Sequence, residues 1–326
     1  MKKFNVYVTR GIPEVGIDLL RKECKVLEIN PHSRALTPEE LKSAVKGRDG
    51  LLCLLSDKID STVMDAAGDQ LKVISNYAAG FENIDIPLAT QRKILVTNTP
   101  GILSKTTAEL AWALLLGVAR HIPRSDSYTR EGKFKGWDPM LFLGVDISGK
   151  TLGVIGAGSI GTEFALLSKG FGMTVLYYNR STNPTIEKEL NAQNVSLETI
   201  LKNSDVISCH IPLNSQTFHL IGKREIAKMK PNSILINTSR GPVIDEAALV
   251  NALKKKKIFG AGLDVYEKEP ELTPGLKELP NVVLAPHTGS ASKETRERMA
   301  VLAAQNLLAG LKGVRPQHLV NSELIV

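Results

Sequence analysis

The feature that most constrains the fold of this chain is the glycine pattern GAGSIG, which lies between the apolar run TLGVI and the helix-like segment IGTEFALLSKGFG. In such a strand–turn–helix unit, Gly156 makes the tight turn, Gly158 lets the backbone approach a pyrophosphate, and Gly161 lets helix and strand pack closely. The amides of Ser159 and Ile160 at the helix start then face the phosphates. The pattern predicts a dinucleotide site, and the alternative is a glycine-rich turn that binds no ligand.

Short apolar runs alternate with helical segments on both sides of this turn. Strand-like runs before it are NVYVT, GLLCLL, LKVIS and ILVTN, and those from it onward are LGVIG, TVLYY, DVISCHIP, SILINTS, FGAGLDV and NVVLAPH. One continuous helical stretch, SKTTAELAWALLLGVARHIPRSDSYTREG, separates the two series. Alternation of this kind is typical of βαβ units around parallel sheets.

The last helical segment, SKETRERMAVLAAQNLLAGLKG, cannot bury its apolar stripe alone, and we expect it to return to the first sheet. We therefore predict an α/β protein with two Rossmann-like domains built on parallel sheets. Residues 1–99 and 289–326 would form a discontinuous, flavodoxin-like domain, and residues 100–288 a dinucleotide-binding domain.

The chain has 41 Lys and Arg against 34 Asp and Glu, a net charge of +7. This excess admits nucleic acid, an anionic membrane or small anionic substrates as partners. The dense basic run Lys254–Lys257 ends a helical segment, where cations complement the negative helix end, and no nucleic-acid module accompanies it. We expect no nucleic-acid partner.

The cysteines Cys24, Cys53 and Cys209 form no CxxC pair, and two of them lie in apolar runs. Such cysteines are typical of buried thiols in a reducing compartment. The apolar stretch LAWALLLGVA is well short of the ~20 residues that a membrane span needs. We expect a cytoplasmic protein with no membrane partner and no metal.

The segment that follows TVLYY lacks an expected acid. In dinucleotide-binding units, an Asp or Glu ~20 residues after the glycines usually binds the ribose of NAD, whereas a nearby Arg accommodates the 2′-phosphate of NADP. This chain has Asn179, Arg180 and Ser181 there. A guanidinium and a hydroxyl are good donors to a phosphate. We therefore predict a preference for NADP(H), with NAD(H) possible. Alternatively, Arg180 lies over the adenine or points into solvent.

Three polar residues follow later strand-like runs, namely Arg240 in INTSRGPVIDE, Glu269 in GLDVYEKEP and His287 in LAPHTGSAS. The carboxyl ends of the strands are where open α/β sheets bind ligands. Arg240 can make a two-pronged contact with a carboxylate and a carbonyl oxygen. His287 can act as general acid or base, and a contact from Glu269 would fix its tautomer and favour the imidazolium. Taken singly, each residue has an ordinary structural explanation, but together they indicate hydride transfer to a 2-keto acid.

The chain resembles the D-isomer-specific 2-hydroxyacid dehydrogenase family over essentially its full length. The motifs that carry the resemblance occur in the family's order: AAGFENIDI (78–86), TNTPGILSKTTAELAWALLL (97–116), GVIGAGSIGTEFA (153–165), CHIPLNSQTFHLI (209–221), INTSRGPVIDEAAL (236–249), GLDVYEKEP (262–270) and PHTGSAS (286–292).

The resemblance implies a role for each site residue. Arg240 would orient the substrate, His287 would be the acid/base and Glu269 its partner, while amides around Ala79 and Gly80 would hold the substrate carboxylate. The alternative for that loop is an ordinary strand-to-helix turn.

The resemblance also implies contacts with the cofactor. Asp264 and the Thr238 backbone would face the nicotinamide amide, although Asp264 could instead be a plain helix or turn cap. Further residues that would lie near the cofactor are Thr107, Pro212, Ser239, His287 and Gly289.

Within the family, the segment YYNRS and the ending NLLAGLKGVRPQHLVN are similar to glyoxylate and hydroxypyruvate reductases. The resemblance implies a homodimer in which Trp137 reaches the neighbouring subunit's substrate site, the alternative being an ordinary buried aromatic. A D-3-phosphoglycerate or D-lactate type dehydrogenase, and a dinucleotide-sensing corepressor-like binding protein, remain as other functions.

Overall fold

The computed structural model describes residues 3–324. Its strands are β1 (Phe4–Val8), β2 (Cys24–Ile29), β3 (Gly50–Cys53), β4 (Val73–Asn76), β5 (Leu95–Thr97), β6 (Thr151–Ile155), β7 (Thr174–Tyr178), β8 (Gln193–Asn194), β9 (Val206–Cys209), β10 (Ile234–Asn237), β11 (Gly260–Leu263) and β12 (Val282–Leu284).

Its α-helices are α1 (Glu14–Glu23), α2 (Pro38–Ala44), α3 (Ser61–Ala67), α4 (Ile86–Gln91), α5 (Ser104–Ala119), α6 (Ile122–Arg130), α7 (Ser159–Leu167), α8 (Pro184–Leu190), α9 (Leu197–Asn203), α10 (Lys223–Ile226), α11 (Glu246–Lys254) and α12 (Lys293–Leu311). Short 3-10 turns cover Ser168–Phe171 and Gly241–Val243.

Among the described residues, the first compact unit contains residues 3–103 and 291–324. Its strands lie in the order β2-β1-β3-β4-β5, and all neighbours are parallel. Helix α12 packs on this sheet, where Met299, Ala303 and Leu307 join its apolar core. The buried stripe of α12 is therefore covered by the unit that also contains the start of the chain.

The second unit spans Ser104–Ser290. Its parallel strands lie in the order β12-β11-β10-β9-β6-β7-β8. The chain runs outward from β6 through β7 and β8 and then returns to β9 on the other side of β6. The strand order thus reverses between β6 and β9, the position where sheets of this type bind ligands. The predicted α/β class with parallel sheets is confirmed.

The structure contains elements that the sequence analysis did not name. These are strands β2 and β8 and the short helices α4, α8, α9 and α10. The predicted continuous helix ends at Ala119 and a second one begins at Ile122, because His121 takes the left-handed conformation at φ 53°.

The remaining expectations concern buried and basic positions. All three cysteines are buried, and none of them forms a disulfide. Lys254 lies in the last turn of α11, so the basic run follows a helix end as expected. Among residues 3–324, no helix is both long and apolar enough to cross a membrane.

Candidate active site

The glycine turn connects β6 to α7 with the geometry that its sequence predicts. Gly156 has φ +95°, a conformation that favours glycine. A Cβ on Gly161 would lie 2.0 Å from the Gly156 carbonyl oxygen, so only glycine allows helix and turn to approach this closely. A Cβ on Gly158, by contrast, would meet no atom within 4 Å.

The space beside Gly158 is open at the start of a helix. Gly158 is the exposed N-cap of α7, whose first residues are Ser159 and Ile160. Amides at a helix start carry partial positive charge and bind phosphate. The residues that the structure places here can therefore hold a pyrophosphate.

The segment after β7 forms a small polar loop. Asn179 Nδ2 donates to the Ser181 carbonyl at 3.0 Å and to its Oγ at 3.3 Å. Arg180 is exposed, and within residues 3–324 its guanidinium forms no ion pair. Asn183 ties the loop to the glycine turn, since its Nδ2 donates to the Ala157 carbonyl at 2.9 Å.

Arg240 follows β10, and local contacts fix its backbone. Asn237 Nδ2 donates to the Arg240 carbonyl at 2.9 Å, and Arg240 Nη1 donates to the Ser239 carbonyl at 2.7 Å. The next residue, Gly241, lies against the Tyr266 backbone, where a Cβ would be 1.9 Å from the Tyr266 carbonyl. The segment that carries Arg240 is therefore packed directly against the loop that carries Glu269.

Glu269 and His287 form the contact that the sequence analysis anticipated. His287 Nδ1 lies 2.8 Å from Glu269 Oε2, and the side chains are 28% and 33% exposed. The Tyr266 amide donates to Glu269 Oε1 at 3.0 Å. Burial alone would raise the pKa of Glu269, but the His287 contact, the Tyr266 amide and the charge of Arg240 together lower it. An ionised Glu269 can hold a proton on Nδ1, which leaves Nε2 to exchange a proton with substrate.

Asp264 is buried and its carboxylate caps the turn that carries His287. Oδ1 accepts from the Thr288 amide at 2.6 Å, and Oδ2 accepts from the Gly289 amide at 2.8 Å. Burial raises the pKa of Asp264, although these amides oppose that shift. Asp264 therefore caps this turn, and its predicted position beside the nicotinamide stays a prediction.

The other predicted cofactor residues lie in the same unit. Thr107 is buried, and its side chain lies beside Gly289. Thr238 is also buried, and its Oγ1 has no hydrogen-bond partner among the described residues. The Ser239 amide and hydroxyl both donate to Asn237 Oδ1, and Pro212 is exposed.

Ala79 and Gly80 lie in the first unit, in the loop after β4. Asn98 Nδ2 donates to the Ala79 carbonyl at 2.6 Å, and Asn76 Nδ2 donates to the Gly80 carbonyl at 2.8 Å. Among residues 3–324, the amides of these two residues donate to no protein acceptor. The loop therefore has fixed carbonyls and two amides that can bind an anion.

Trp137 is 86% exposed, which rules out the alternative that it is an ordinary buried aromatic of this chain. It lies in the segment between α6 and β6, which has further exposed large apolar side chains. These are Phe134, Met140 and Leu143, and Phe134 lines one surface pocket together with Trp137.

The Glu269–His287 pair lines a cavity of about 340 Å³ in the second unit. Its other walls are mostly apolar: Tyr266, Pro270, Leu272, Leu284, Ala285 and Pro286. Sequence reasoning missed one charged residue behind this loop, the buried Glu246. Acidic residues are common in the first turn of a helix, so a glutamate at position 246 did not by itself indicate a functional role.

Comparison with known proteins gives a family. The family model described as D-isomer specific 2-hydroxyacid dehydrogenase, NAD binding domain, matches residues 112–289. A glyoxylate reductase of Thermococcus litoralis is 49% identical and aligns over 99% of this chain and 98% of its own.

Two solved structures are similar over almost the whole chain. A glyoxylate reductase from Paecilomyes thermophila is 32% identical, with a TM-score of 0.87 and coverage of 99% of this chain and 100% of that one. An NADPH-dependent glyoxylate/hydroxypyruvate reductase from Sinorhizobium meliloti, in complex with NADP and malonate, is 29% identical. Its TM-score is 0.84, with coverage of 97% and 96%.

Proposed function

Since the chain belongs to the D-isomer-specific 2-hydroxyacid dehydrogenase family, we propose that it reduces glyoxylate, hydroxypyruvate or both to the D-2-hydroxy acid, glycolate or D-glycerate. The observation that carries the proposal is the 2.8 Å contact between Glu269 and His287. The Thermococcus relative is a glyoxylate reductase, and the Sinorhizobium relative acts on glyoxylate and hydroxypyruvate.

In this reaction the side chains bind the keto acid and move one proton. The dihydronicotinamide, when bound, supplies the hydride. Arg240 binds the carboxylate and polarises the keto oxygen, while His287 Nε2 protonates the alkoxide as it develops. Glu269 stabilises the imidazolium before transfer and keeps the remaining proton on Nδ1 afterwards.

We further propose that residues 1–99 with 289–326 bind substrate and residues 100–288 bind the cofactor. The free amides of Ala79 and Gly80 support a carboxylate site in the first of these. The glycine turn, together with the buried unpartnered hydroxyl of Thr238, supports the cofactor site in the second.

For the cofactor we propose NADP(H) over NAD(H). An acid after β7 would repel a 2′-phosphate, and Asn179 replaces it. Arg180 is exposed beside Ser181, so its guanidinium is available to the phosphate. The double variant Asn179→Asp/Arg180→Ala should shift the ratio of kcat/KM toward NADH by ~10-fold or more. An unchanged ratio refutes this assignment.

We also propose a homodimer and a cytoplasmic location. Trp137 and Phe134 are exposed and line one surface pocket, which supports an interface, because clustered exposed apolar side chains are typical of association sites. The three cysteines are buried and form no disulfide, which supports a reducing compartment.

A matrix of substrates and cofactors tests the central proposal. Glyoxylate, hydroxypyruvate, pyruvate and phosphohydroxypyruvate are each mixed with NADPH or NADH, and loss of nicotinamide absorbance is recorded. Turnover should be fastest with glyoxylate or hydroxypyruvate. Preference for phosphohydroxypyruvate or pyruvate indicates a phosphoglycerate or lactate type enzyme instead. Cofactor binding without turnover on any of them indicates a dinucleotide-sensing protein.

The variant His287→Ala separates catalysis from binding. It should remove most turnover and leave NADPH affinity nearly unchanged, because the imidazole acts on the substrate proton. Equal loss of both quantities contradicts the assigned role.

A further inference from the structure

A buried carboxylate lies behind the loop that carries Glu269. Glu246, the first residue of α11, is only 2% exposed. Its Oε1 accepts from the Glu267 amide at 2.7 Å, and its Oε2 accepts from the Thr273 hydroxyl at 2.6 Å. Glu267 precedes Glu269 in the sequence and Thr273 follows it. The Glu246 side chain therefore holds both ends of the loop that carries Glu269.

The attachment is reciprocal. The Glu246 amide donates to Glu267 Oε2 at 3.3 Å, and Glu267 Oε1 lies 3.1 Å from His219 Nε2. At the other side, Gly241 packs so closely on the Tyr266 backbone that a methyl group could not fit there. The loop is thus fastened to the same segment that begins with Arg240.

Helix capping does not account for this carboxylate. The N-cap of α11 is Asp245, whose side chain accepts from the Ala248 amide at 2.9 Å. Burying an ionisable group is costly unless its hydrogen bonds are made. Burial raises the pKa of Glu246, while the Thr273 hydroxyl and the Glu267 amide oppose that shift. The bonds that offset this cost all lead to the Glu269 loop.

We propose that Glu246 is a positioning residue for the proposed reaction: it fixes the Tyr266–Thr273 loop so that Glu269 reaches His287. The inference rests on the proposed function, because it gives Glu246 its part through the acid–base pair. A misplacement of ~1 Å at a reacting group can cost ~100-fold in rate. Glu246 therefore acts on turnover without touching substrate.

The test is a double-mutant cycle with Glu269→Gln. Glu246→Ala should lower kcat by ~10- to 100-fold while NADPH affinity stays within about two-fold. Glu246→Gln keeps an oxygen for the Glu267 amide and should retain kcat within ~3-fold. If Glu246 acts through Glu269, adding Glu246→Ala to Glu269→Gln should lower kcat less than about two-fold further. The pH dependence of kcat in Glu246→Ala should also approach that of Glu269→Gln.

Equal losses in the two backgrounds would overturn the proposal, as would an unchanged kcat in Glu246→Ala. Should Glu246→Ala fail to fold, the matched pair Thr273→Val and Thr273→Ser decides. Only the serine keeps the hydroxyl that donates to Glu246, so equal kcat in the pair overturns the proposal.

Hydrogen exchange separates this inference from the proposed function. The Glu267 amide should be protected in wild type and Glu246→Gln and should exchange faster in Glu246→Ala. If wild type reduces none of the four keto acids, the proposed function fails. If the Glu267 amide exchanges at the same rate in Glu246→Ala as in wild type, Glu246 does not fix the Tyr266–Thr273 loop, and this inference fails.

Discussion

Alanine substitutions at Gly158 and Gly161, which flank Ser159 and Ile160, should affect different properties: stability at Gly161 and cofactor affinity at Gly158. In Gly161→Ala the new Cβ would lie 2.0 Å from the Gly156 carbonyl oxygen, over 1 Å closer than the ~3.3 Å at which carbon and oxygen normally meet. Helix α7 must then move away from β6. Overpacking of this kind costs ~1 to 3 kcal/mol, which corresponds to a fall in Tm of about 2 to 12 °C for a unit of this size.

Gly158→Ala is the matched control, because it adds the same methyl group to the same turn. Gly158 has φ −75° and ψ −164°, which alanine adopts readily, and no atom lies within 4 Å of the added Cβ. Its Tm should change little, but the methyl would occupy the space through which a pyrophosphate approaches. We expect NADPH to bind ~10-fold more weakly, a loss of ~1.4 kcal/mol.

Thermal unfolding without cofactor and NADPH fluorescence titration measure the two quantities separately. A Gly161→Ala protein that melts like wild type, or a Gly158→Ala protein that binds NADPH with unchanged affinity, would contradict these roles of the two glycines.

Three further predictions concern the half-buried His210 and Asn183 and the exposed Trp137. Burial lowers the pKa of His210 to about 3, whereas in the unfolded chain it titrates near ~6.5, so the unfolded state binds more protons between these values. The free energy of unfolding should therefore fall by up to ~1.4 kcal/mol per pH unit as pH drops through this window, and urea titrations of His210→Gln should lack that part of the slope. Asn183→Asp keeps the N-cap acceptor of α8 but loses donation to the Ala157 carbonyl and Thr162 Oγ1, so calorimetry should show weaker NADPH binding at nearly unchanged stability. Trp137→Ala should leave the Tm nearly unchanged and shift sedimentation toward monomer; an unchanged sedimentation coefficient would contradict the proposed interface.

The alternation of apolar runs predicted both parallel sheets, and the missed elements lack that pattern. Strand β8, Gln193–Asn194, has two exposed polar residues and pairs only at the sheet edge. Strand β2 begins at Cys24, directly after α1 ends at Glu23. No glycine or proline near this junction marks the change from helix to strand. The helix break at His121 had one signal, Pro123, because proline favours the first turn of a new helix.

The contact between Glu269 and His287 was predictable because each residue follows a strand, and the carboxyl ends of parallel strands meet at one edge. Glu246 was not predictable in this way. Its partners Glu267 and Thr273 are 21 and 27 residues away in the chain. The contact of Asn183 with the glycine turn was unpredictable for the same reason, because Asn183 and Ala157 are 26 residues apart in the chain. Periodicity describes which face of an element is buried, but not which distant polar group it meets there.

These distant contacts also explain how His287 holds its conformation. A non-glycine residue at φ 55° is strained by about 1 to 3 kcal/mol and persists only when its surroundings fix it. The His287 amide donates to the Asp264 carbonyl at 2.9 Å, and the next two amides donate to the Asp264 carboxylate. Glu269 then fixes the ring from the side, and Glu246 fixes the loop that carries Glu269. Within the second unit, the buried carboxylate of Asp264 therefore holds the turn that carries His287, and the buried carboxylate of Glu246 holds the loop that carries Glu269.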